Sequence, residues 1–402
     1  MFADRRVLVG VTGSIAAYKV CEVVSALVKA GAEVRVVLTG AAERFVSPLT
    51  FATLARGRAY TDADFWQAEH GLPLHISLGQ WAEVLVIAPL TAHTLAKLVH
   101  GLADDLLGNI VLASTAPVLL APAMNTQMWE QTTVEHNWRQ ICALERYHTS
   151  GPGTGLLACD TTGSGRMSEP ATLTDHIGSL LWTRGKRDLR GRTVLVSAGG
   201  TREFLDPVRF MGNPSTGRMG IDLAAACVHR GAIVHLVHGP MGLSVPEGVV
   251  AHPVVTASQM HACLLEHFEA ASLVLMAAAV ADVRPTFQYS DKIPKQALKD
   301  ALDLDAVPDI VADLAARRRP DQVLVGFAAQ TGEDFVALAR QKLLAKGLDA
   351  IVANRVDLSG QGFGGETNQA ILLNRKGQTQ TVPLVSKLEL SHRILDFLEE
   401  SS

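Results

Sequence analysis

The sequence predicts an α/β protein of two domains, each a mainly parallel sheet with helices on both faces. Two β-loop-α-β units support this prediction, one over residues 6–38 and one over residues 193–237. In each unit an apolar strand ends in a glycine turn, a helical period follows, and a glycine precedes the next strand. Apolar residues occupy consecutive positions in these strands, which is typical of strands buried on both faces of a parallel sheet. The pattern is that of flavodoxin-like and Rossmann-like folds.

The individual elements follow from the same periodicities. Helices are predicted over residues 15–30 and 219–230, and further helical segments alternate with most strands. Ligands bind beyond the carboxyl ends of parallel strands, so functional residues are expected in the loops that follow strands. Strands are predicted over residues 6–11, 34–38, 84–88, 118–121, 193–197, 233–237, 273–277, 323–327, 350–353 and 370–373.

The domain boundary is predicted within residues 184–191. This segment is charged, is bounded by glycines and has no apolar period, which is typical of a linker. The predicted domains are residues 1–186 and 187–402.

Composition excludes several classes of protein. The chain has 402 residues, 48% of them apolar, which is enough for two packed cores. The net charge is -4 and the basic residues are scattered except at 317–319, which argues against a nucleic-acid partner. No apolar run approaches the ~18 residues of a membrane span. Five cysteines without a CxxC pair give no closed disulfide framework, which favours the reducing cytoplasm. From the cysteines and the lack of a long apolar run together, we expect a soluble, cytoplasmic protein with no membrane partner.

Gly13 and Ser14 follow the first predicted strand and open its helix. Main-chain NH groups and the positive end of a helix dipole can hold a phosphate at such a position. An ordinary glycine turn with Ser14 as the N-cap explains the same residues equally well.

Three further segments of the first half carry polar groups suited to a site. His75 is predicted in a loop with no metal-ligand spacing, where a lone histidine is more often structural. Small and hydroxyl-bearing residues at 88–92 follow a strand and either allow a ring or phosphate to approach or form an ordinary strand-to-helix turn. Asn125 ends the next strand, where its amide can donate to a carboxylate without titrating or can cap a helix.

Residues 151–167 contain five glycines together with Cys159. This composition predicts a long mobile loop that can act as a lid. Cysteines 21, 227 and 263 fall in helical patterns, so Cys159 is the best candidate for a chemical role.

The first half resembles the homo-oligomeric, flavin-containing cysteine decarboxylases, in particular those that act on phosphopantothenoylcysteine. The resemblance rests on GSIAAYK at 13–19, HISL at 75–78, APLTA at 88–92, PAMN at 122–125 and ACxxxGxGRM at 158–167. It implies that His75 is the active-site base, Asn125 binds the substrate carboxylate and Cys159 is the proton donor. The implied FMN-binding positions are Gly13, Ser14, Thr39, Pro89, Thr91 and Ala92.

The implied chemistry suits these residue types. Direct loss of CO₂ from a cysteine amide leaves an unstabilised carbanion, whereas oxidation of the thiol by flavin gives a thioaldehyde that delocalises the charge. One departure from the family pattern follows the cysteine, where Asp160 and Thr161 replace the usual glycine and aspartate.

The glycine loop at 212–219 has the GxxxxG spacing of a P-loop. Arg218 replaces the lysine of that motif and Met219 replaces its magnesium-binding hydroxyl, which excludes a P-loop ATPase. What remains is a polar loop before a helix, which fits either an anion site or an ordinary surface loop.

Asp282 ends an apolar strand, and Lys292 and Lys295 follow it. An acid beside lysines suits a nucleoside triphosphate with Mg²⁺, because the leaving pyrophosphate must be neutralised. An exposed charged loop is the alternative. Lys342 and Lys346 share one helix face at four-residue spacing.

The second half, over residues 191–374, resembles the phosphopantothenate-cysteine ligases. The resemblance rests on TREFLDPVRF at 201–210, the loop at 212–219, AAVAD at 278–282, DKIPKQ at 291–296, PDIV at 308–311 and GFAA at 326–329. It implies that Asn213 holds an acyl-cytidylate and that Arg209 shapes its site; Gln330 and Arg355 depart from the family pattern. The implied CTP-binding positions are Asp282, Lys292, Pro308, Asp309, Ile310, Val311, Phe327, Lys342 and Lys346, with Lys292 also catalytic.

Together the two resemblances imply a fused enzyme of coenzyme A biosynthesis. It ligates 4′-phosphopantothenate to cysteine with CTP and Mg²⁺, then decarboxylates the product with FMN; the metal ligands stay open. A regulatory FMN-binding protein is one alternative, against which the presence of His75, Asn125 and Cys159 argues. A peptidyl-cysteine decarboxylase is the other, and it has no use for a ligase half.

Overall fold

A computed structural model describes residues 1–67, 71–158, 160–296, 298, 302–357 and 364–400. The chain divides into two compact units, Met1–Lys186 and Arg187–Ser402. Across the described residues, no helix has the length and apolar character needed to cross a membrane.

The first unit is built on a six-stranded sheet whose paired strands all run parallel, in the order β3-β2-β1-β4-β5-β6. The two remaining strands, β7 and β8, form an antiparallel hairpin. The strands are β1 (Arg6–Val11), β2 (Glu33–Leu38), β3 (Ala59–Tyr60), β4 (Val84–Leu90), β5 (Val118–Pro122), β6 (Tyr147–Thr149), β7 (Gly153–Leu156) and β8 (Thr162–Arg166).

Helices cover both faces of this sheet. Every residue of β4 is buried, with Val86 in the core of one face and Ile87 in the core of the other. This burial explains why the central strands are apolar at consecutive positions. The helices are α1 (Ala17–Lys29), α2 (Pro48–Ala55), α3 (Asp62–Phe65), α4 (Leu74–Trp81), α5 (Ala92–His100), α6 (Leu106–Ala113), α7 (Thr126–Trp129), α8 (Thr132–Cys142) and α9 (Pro170–Thr183), with a 3₁₀ turn at Ala42–Arg44.

The second unit contains an eight-stranded sheet in the order β13-β12-β9-β14-β17-β18-β19-β20. Its strands run parallel from β13 to β18, and β19 and β20 are antiparallel additions. Two antiparallel pairs, β10-β11 and β15-β16, lie outside this sheet. The strands of the unit are β9 (Thr193–Ala198), β10 (Glu203–Phe204), β11 (Phe210–Met211), β12 (Ile233–His238), β13 (Val249–Pro253), β14 (Leu273–Met276), β15 (Val283–Pro285), β16 (Leu304–Ala306), β17 (Val323–Gln330), β18 (Ala350–Arg355), β19 (Thr367–Asn374) and β20 (Thr379–Ser386). The helices are α10 (Arg218–His229), α11 (Ala257–Phe268), α12 (Ile310–Arg317), α13 (Phe335–Ala345) and α14 (Lys387–Glu400).

The predicted fold class is confirmed, since both units are mainly parallel sheets between helices. Two local predictions are wrong. His75 lies in the first turn of α4 rather than in a loop, and the glycine-rich stretch 151–167 contains the β7-β8 hairpin. The predicted linker also packs more tightly than expected, because Leu189 is buried and Asp188 forms an ion pair with the buried Arg230.

Candidate functional site

The first unit has a cavity of about 770 Å³ beyond the carboxyl ends of its strands. The strand order changes direction between β1 and β4, which opens a crevice at that edge of the sheet. The lining includes most of the predicted FMN-binding positions, namely Gly13, Ser14, Thr39, Thr91 and Ala92, together with Asn125.

Two helices begin at this cavity, α1 after β1 and α5 after β4. Thr91 caps α5, where its Oγ1 accepts from the main-chain NH of Thr94 over 3.3 Å. Ser14 Oγ accepts from the main-chain NH of Ala16 over 3.4 Å. A Cβ on Gly13 would lie 2.5 Å from that of Ala41, so no larger residue fits there without a backbone shift. Both ends therefore place main-chain donors and positive dipole ends at the cavity.

The buried hydroxyl of Thr12 fixes these two loops relative to each other. Thr12 Oγ1 donates to the main-chain oxygen of Pro89 over 2.6 Å and accepts from the NH of Thr91 over 3.1 Å. Within the described residues, Pro89 itself does not line the cavity, so its contribution is to hold the loop in place.

The position of Asn125 is compatible with both roles predicted for its amide, capping a helix and donating to a carboxylate. Its Oδ1 accepts from the main-chain NH of Gln127 over 2.8 Å and caps α7, and the residue also lines the cavity. Because the oxygen accepts, the amide nitrogen is the group suited to donate to a bound carboxylate.

A charged group that the sequence did not indicate lies along the same cavity. Lys97 Nζ lies 2.6 Å from a carboxylate oxygen of Asp104 and 2.7 Å from one of Asp105. Burial opposes the charge of Lys97, but the hydrogen bonds to the two carboxylates outweigh it and raise its pKa. This ion pairing requires α5 to pack against the start of α6, and no local motif in the sequence indicates that contact.

The remaining predicted residues of this half are not gathered in the cavity. His75 is half-buried and lies edge-on to Phe65, with ring centroids 5.5 Å apart. Its buried Nδ1 has no hydrogen-bond partner among the described residues, and it does not line the cavity of its own unit. Cys159 lies outside the described residues.

The second unit has a cavity of about 540 Å³. It lies beyond the carboxyl ends of β9, β14 and β17, where the strand order again changes direction. The predicted residues that line it are Asn213, Asp282, Pro308, Asp309, Ile310, Val311, Phe327, Lys342 and Lys346.

The segment between β14 and Asp282 is held by side chains of the β9 edge. Ser197 Oγ accepts from the NH of Ala278 over 3.1 Å, and Thr201 Oγ1 accepts from that of Ala281 over 3.0 Å. Gly200 lies where a Cβ would come within 2.7 Å of the main-chain oxygen of Asn213. The glycine lets the loop before α10 approach the sheet closely.

Two lysines, Lys342 of α13 and Lys346 just after it, line this cavity in different surroundings. Lys342 Nζ donates to the main-chain oxygen of Phe327 over 3.3 Å. Burial and the charge of Lys346 lower the pKa of Lys342, even though Asp309 and Asp282 act in the opposite direction. Lys346 lies 3.0 Å from Asp309, which caps α12.

Lys292 and Arg209 do not line the cavity within the described residues. Lys292 is exposed, and the next residue, Ile293, is buried. The carboxylate of Asp206 accepts a hydrogen bond from the main-chain NH of Ile293 over 3.2 Å. The guanidinium of Arg209 donates to the main-chain oxygen of Ile293 over 3.1 Å. Arg209 therefore anchors the segment that carries Lys292.

Among the described residues, six polar residues that line this cavity were not named as site residues from the sequence: Ser215, Thr216, Arg218, Asn354, Asn368 and Lys387. Lys387 begins α14 and is buried, which lowers its pKa, and the nearby Arg218 adds to this effect while Asp222 opposes it. The sequence pattern indicated Arg218 only as a departure from the P-loop motif. No local pattern in the sequence indicated Lys387, which reaches the site because α14 packs against α10.

Two family models match the chain. The DNA/pantothenate metabolism flavoprotein C-terminal domain matches residues 189–401, and the Flavoprotein model matches residues 2–181. The coenzyme A biosynthesis bifunctional protein CoaBC of Bacillus subtilis (strain 168) is 41% identical over 396 residues, which cover 98% of this chain and 97% of the relative. That of Vibrio cholerae is 40% identical over 400 residues, with 99% and 98% coverage.

A crystal structure of the C-terminal domain of a CoaBC protein is 33% identical to this chain, covering 54% of it and 97% of that domain, with a TM-score of 0.46. The full-length identity to the curated relatives, together with the two family models, settles the assignment. This chain belongs to the CoaBC family of coenzyme A biosynthesis bifunctional proteins.

Proposed function

We propose that this chain catalyses two successive steps of coenzyme A biosynthesis. Residues 187–402 join 4′-phosphopantothenate to cysteine with CTP, and residues 1–186 decarboxylate the product with FMN. The observation that carries the proposal is that most of the ligand-binding residues expected for each reaction, though scattered along the sequence, line one cavity in each unit. The alternatives, a regulatory flavoprotein and a peptidyl-cysteine decarboxylase, leave the second cavity without a role.

The first cavity fits FMN. Its volume of about 770 Å³ suits a cofactor of that size, and the ends of α1 and α5 suit a phosphate. Gly13, Ser14 and Thr91 would hold the phosphate, and Thr39 and Ala92 would adjoin the rest of the cofactor. The match to the Flavoprotein family model supports this assignment. When bound, the flavin supplies the oxidising equivalents that make the decarboxylation feasible.

The protein groups then bind the substrate and move its protons. Asn125 would donate to the carboxylate that leaves as CO₂, and a neutral amide keeps this role at any working pH. His75 would accept the thiol proton, and Cys159 would return a proton to the product.

His75 needs a second copy of the chain for this role. It does not line the cavity of its own unit, whereas three exposed apolar residues, Ile15, Phe45 and Met128, lie along that cavity. Exposed apolar side chains beside a site are typical of a surface that another protein covers. We therefore propose a homo-oligomer in which one copy supplies His75 to the cavity of another.

The second cavity suits the ligation because four cationic side chains line it. Arg218, Lys342, Lys346 and Lys387 contribute positive charge. The substrate carboxylate attacks the α-phosphorus of CTP and expels pyrophosphate, whose developing charge these groups stabilise. The amine of cysteine then attacks the acyl carbon and expels CMP.

Asp282 and Asn213 have separate tasks in this scheme. The exposed carboxylate of Asp282 would hold an Mg²⁺ ion, which would supply positive charge to the triphosphate. Asn213 would orient the activated carbonyl by hydrogen bonding. Lys292 would reach the triphosphate from the segment that Arg209 anchors.

The test is to incubate the purified chain with 4′-phosphopantothenate, cysteine, Mg²⁺ and either CTP or ATP, and to identify products by mass. We expect 4′-phosphopantetheine, CO₂, pyrophosphate and CMP with CTP. Accumulation of phosphopantothenoylcysteine would contradict the decarboxylase assignment, and absence of any conjugate would contradict the ligase assignment.

A further inference from the structure

Three histidines of the second unit form a cluster outside both cavities. His235 lies on β12, His252 on the edge strand β13 and His267 on the last turn of α11. One ring nitrogen from each lies within 4.8 Å of the others. We call this group the histidine cluster.

The cluster is built by rigid elements. His235 is paired in register with Val250, and Val237 with His252, so the two histidines lie on one face of adjacent parallel strands, diagonal to each other. α11 packs on β12 and brings His267 over the same face. Three separate elements thus direct imidazoles to one point.

The distances suit a shared metal ion. His235 Nδ1 and His252 Nε2 are 3.0 Å apart, and the ring centroids are 4.1–5.3 Å apart. Nitrogen atoms bound to one tetrahedral zinc at ~2.0–2.1 Å lie ~3.3 Å from each other, so ring rotations that unstack the three imidazoles would complete the geometry.

The neutral imidazole is the form that binds metals. All three side chains are half-buried, so an ion can reach them from solvent.

We propose that the histidine cluster binds one borderline divalent transition-metal ion, such as Zn²⁺, through three imidazoles, with water completing the coordination. The ion cross-links the edge strand β13 and helix α11 to β12. It is distinct from the Mg²⁺ that accompanies CTP, because Mg²⁺ prefers oxygen ligands. The proposal is independent of the two catalytic activities.

The test uses the full chain without a histidine tag, stripped of metal and titrated with Zn²⁺ in excess Mg²⁺ by calorimetry. We expect one Zn²⁺ per chain and a raised melting temperature, since a ligand that binds the folded state stabilises it. His235→Asn, His252→Asn and His267→Asn should each weaken binding at least ~10-fold. The matched control is His136→Asn, which changes an exposed histidine of α8 and should bind as the unmodified chain does.

Binding that is unchanged in all three variants, or equally weakened by His136→Asn, would overturn the proposal. A measurement on the unmodified chain avoids dependence on variant folding. X-ray absorption at the zinc edge should count three imidazole ligands, and a smaller count also overturns the assignment.

Discussion

The side-chain amide of Asn213 donates to the main-chain oxygen of Val280 over 3.0 Å. This bond ties the glycine loop before α10 to the segment that follows β14, so the two loops form one wall of the ligase cavity. Asn213 is thereby fixed on one side and faces the proposed reaction on the other.

Asn213→Asp should separate the two halves of the ligation. An aspartate cannot donate to Val280, and its charge lies beside a carbonyl oxygen and an anionic intermediate. We expect CTP-dependent pyrophosphate release to continue while conjugate formation falls ~100-fold or more, because orientation of the acyl group is lost. Quenched-flow analysis of pyrophosphate and conjugate measures both.

Lys292→Gln provides the contrast. It removes a positive charge of the protein that would neutralise the triphosphate, so it should stop pyrophosphate release itself. Neither variant should change decarboxylation of supplied phosphopantothenoylcysteine. If both variants stop at the same step, the proposed division of roles is wrong.

Lys342 should give the ligase an alkaline limb in its pH profile. Its pKa is lowered by burial and by Lys346. The ammonium, present below the pKa, can pair with phosphate, and the amine formed as pH rises cannot. Affinity for CTP should therefore fall at a pH below the ~10.4 of an ordinary lysine. The measurement is the KM for CTP against pH.

Lys342→Arg should move this limb to higher pH, because a guanidinium stays charged. Lys342→Gln should remove the limb and raise KM throughout. An unchanged limb in Lys342→Gln would assign the titration to another group.

Gly13→Ala should weaken FMN binding. The new Cβ would lie 2.5 Å from that of Ala41, which forces the loop before α1 to shift away from the proposed phosphate position. We expect at least ~10-fold weaker binding, since misplaced main-chain donors lose the anion. Flavin absorbance of the purified protein and fluorescence titration measure it.

Gly71→Ala is the matched control, because a Cβ at that position meets no described residue within 4 Å and its backbone is not in the left-handed region. Equal flavin content in both variants would remove Gly13 from the FMN site.

A shared site between copies predicts complementation. His75→Asn and Asn125→Ala should each abolish decarboxylation alone. When the two variants are expressed together, some cavities combine an intact Asn125 with an intact His75 from another copy. We expect part of the activity to return in proportion to those mixed sites. No recovery from confirmed mixed oligomers would place both residues in one copy.

Cys159→Ser tests the proton donor. Flavin reduction and CO₂ release should continue, because they precede the step assigned to the thiol, while the oxidised enethiol product accumulates. Mass analysis of the product gives the result. Normal formation of 4′-phosphopantetheine by this variant would exclude Cys159 from the mechanism.

Local sequence patterns predict the two sheets and much of each cavity. Central strands such as β1 and β4 are apolar at consecutive positions because helices cover both of their faces, and this signal is local. Loops after such strands meet at one edge, so Gly13 and Thr91, or Asn213 and Asp282, come together as a consequence of topology.

Features that have no local period could not be predicted in this way, because they depend on long-range packing. The β7-β8 hairpin is glycine-rich and lacks an apolar alternation; its position is fixed by the main-chain bond from Met124 to Gly165 over 3.0 Å. Lys387 enters the ligase cavity, and the histidine cluster forms, because elements far apart in sequence pack side by side. Contacts between such distant elements arise from long-range packing, so the residues that neighbour Lys387 or the three histidines in sequence do not indicate them.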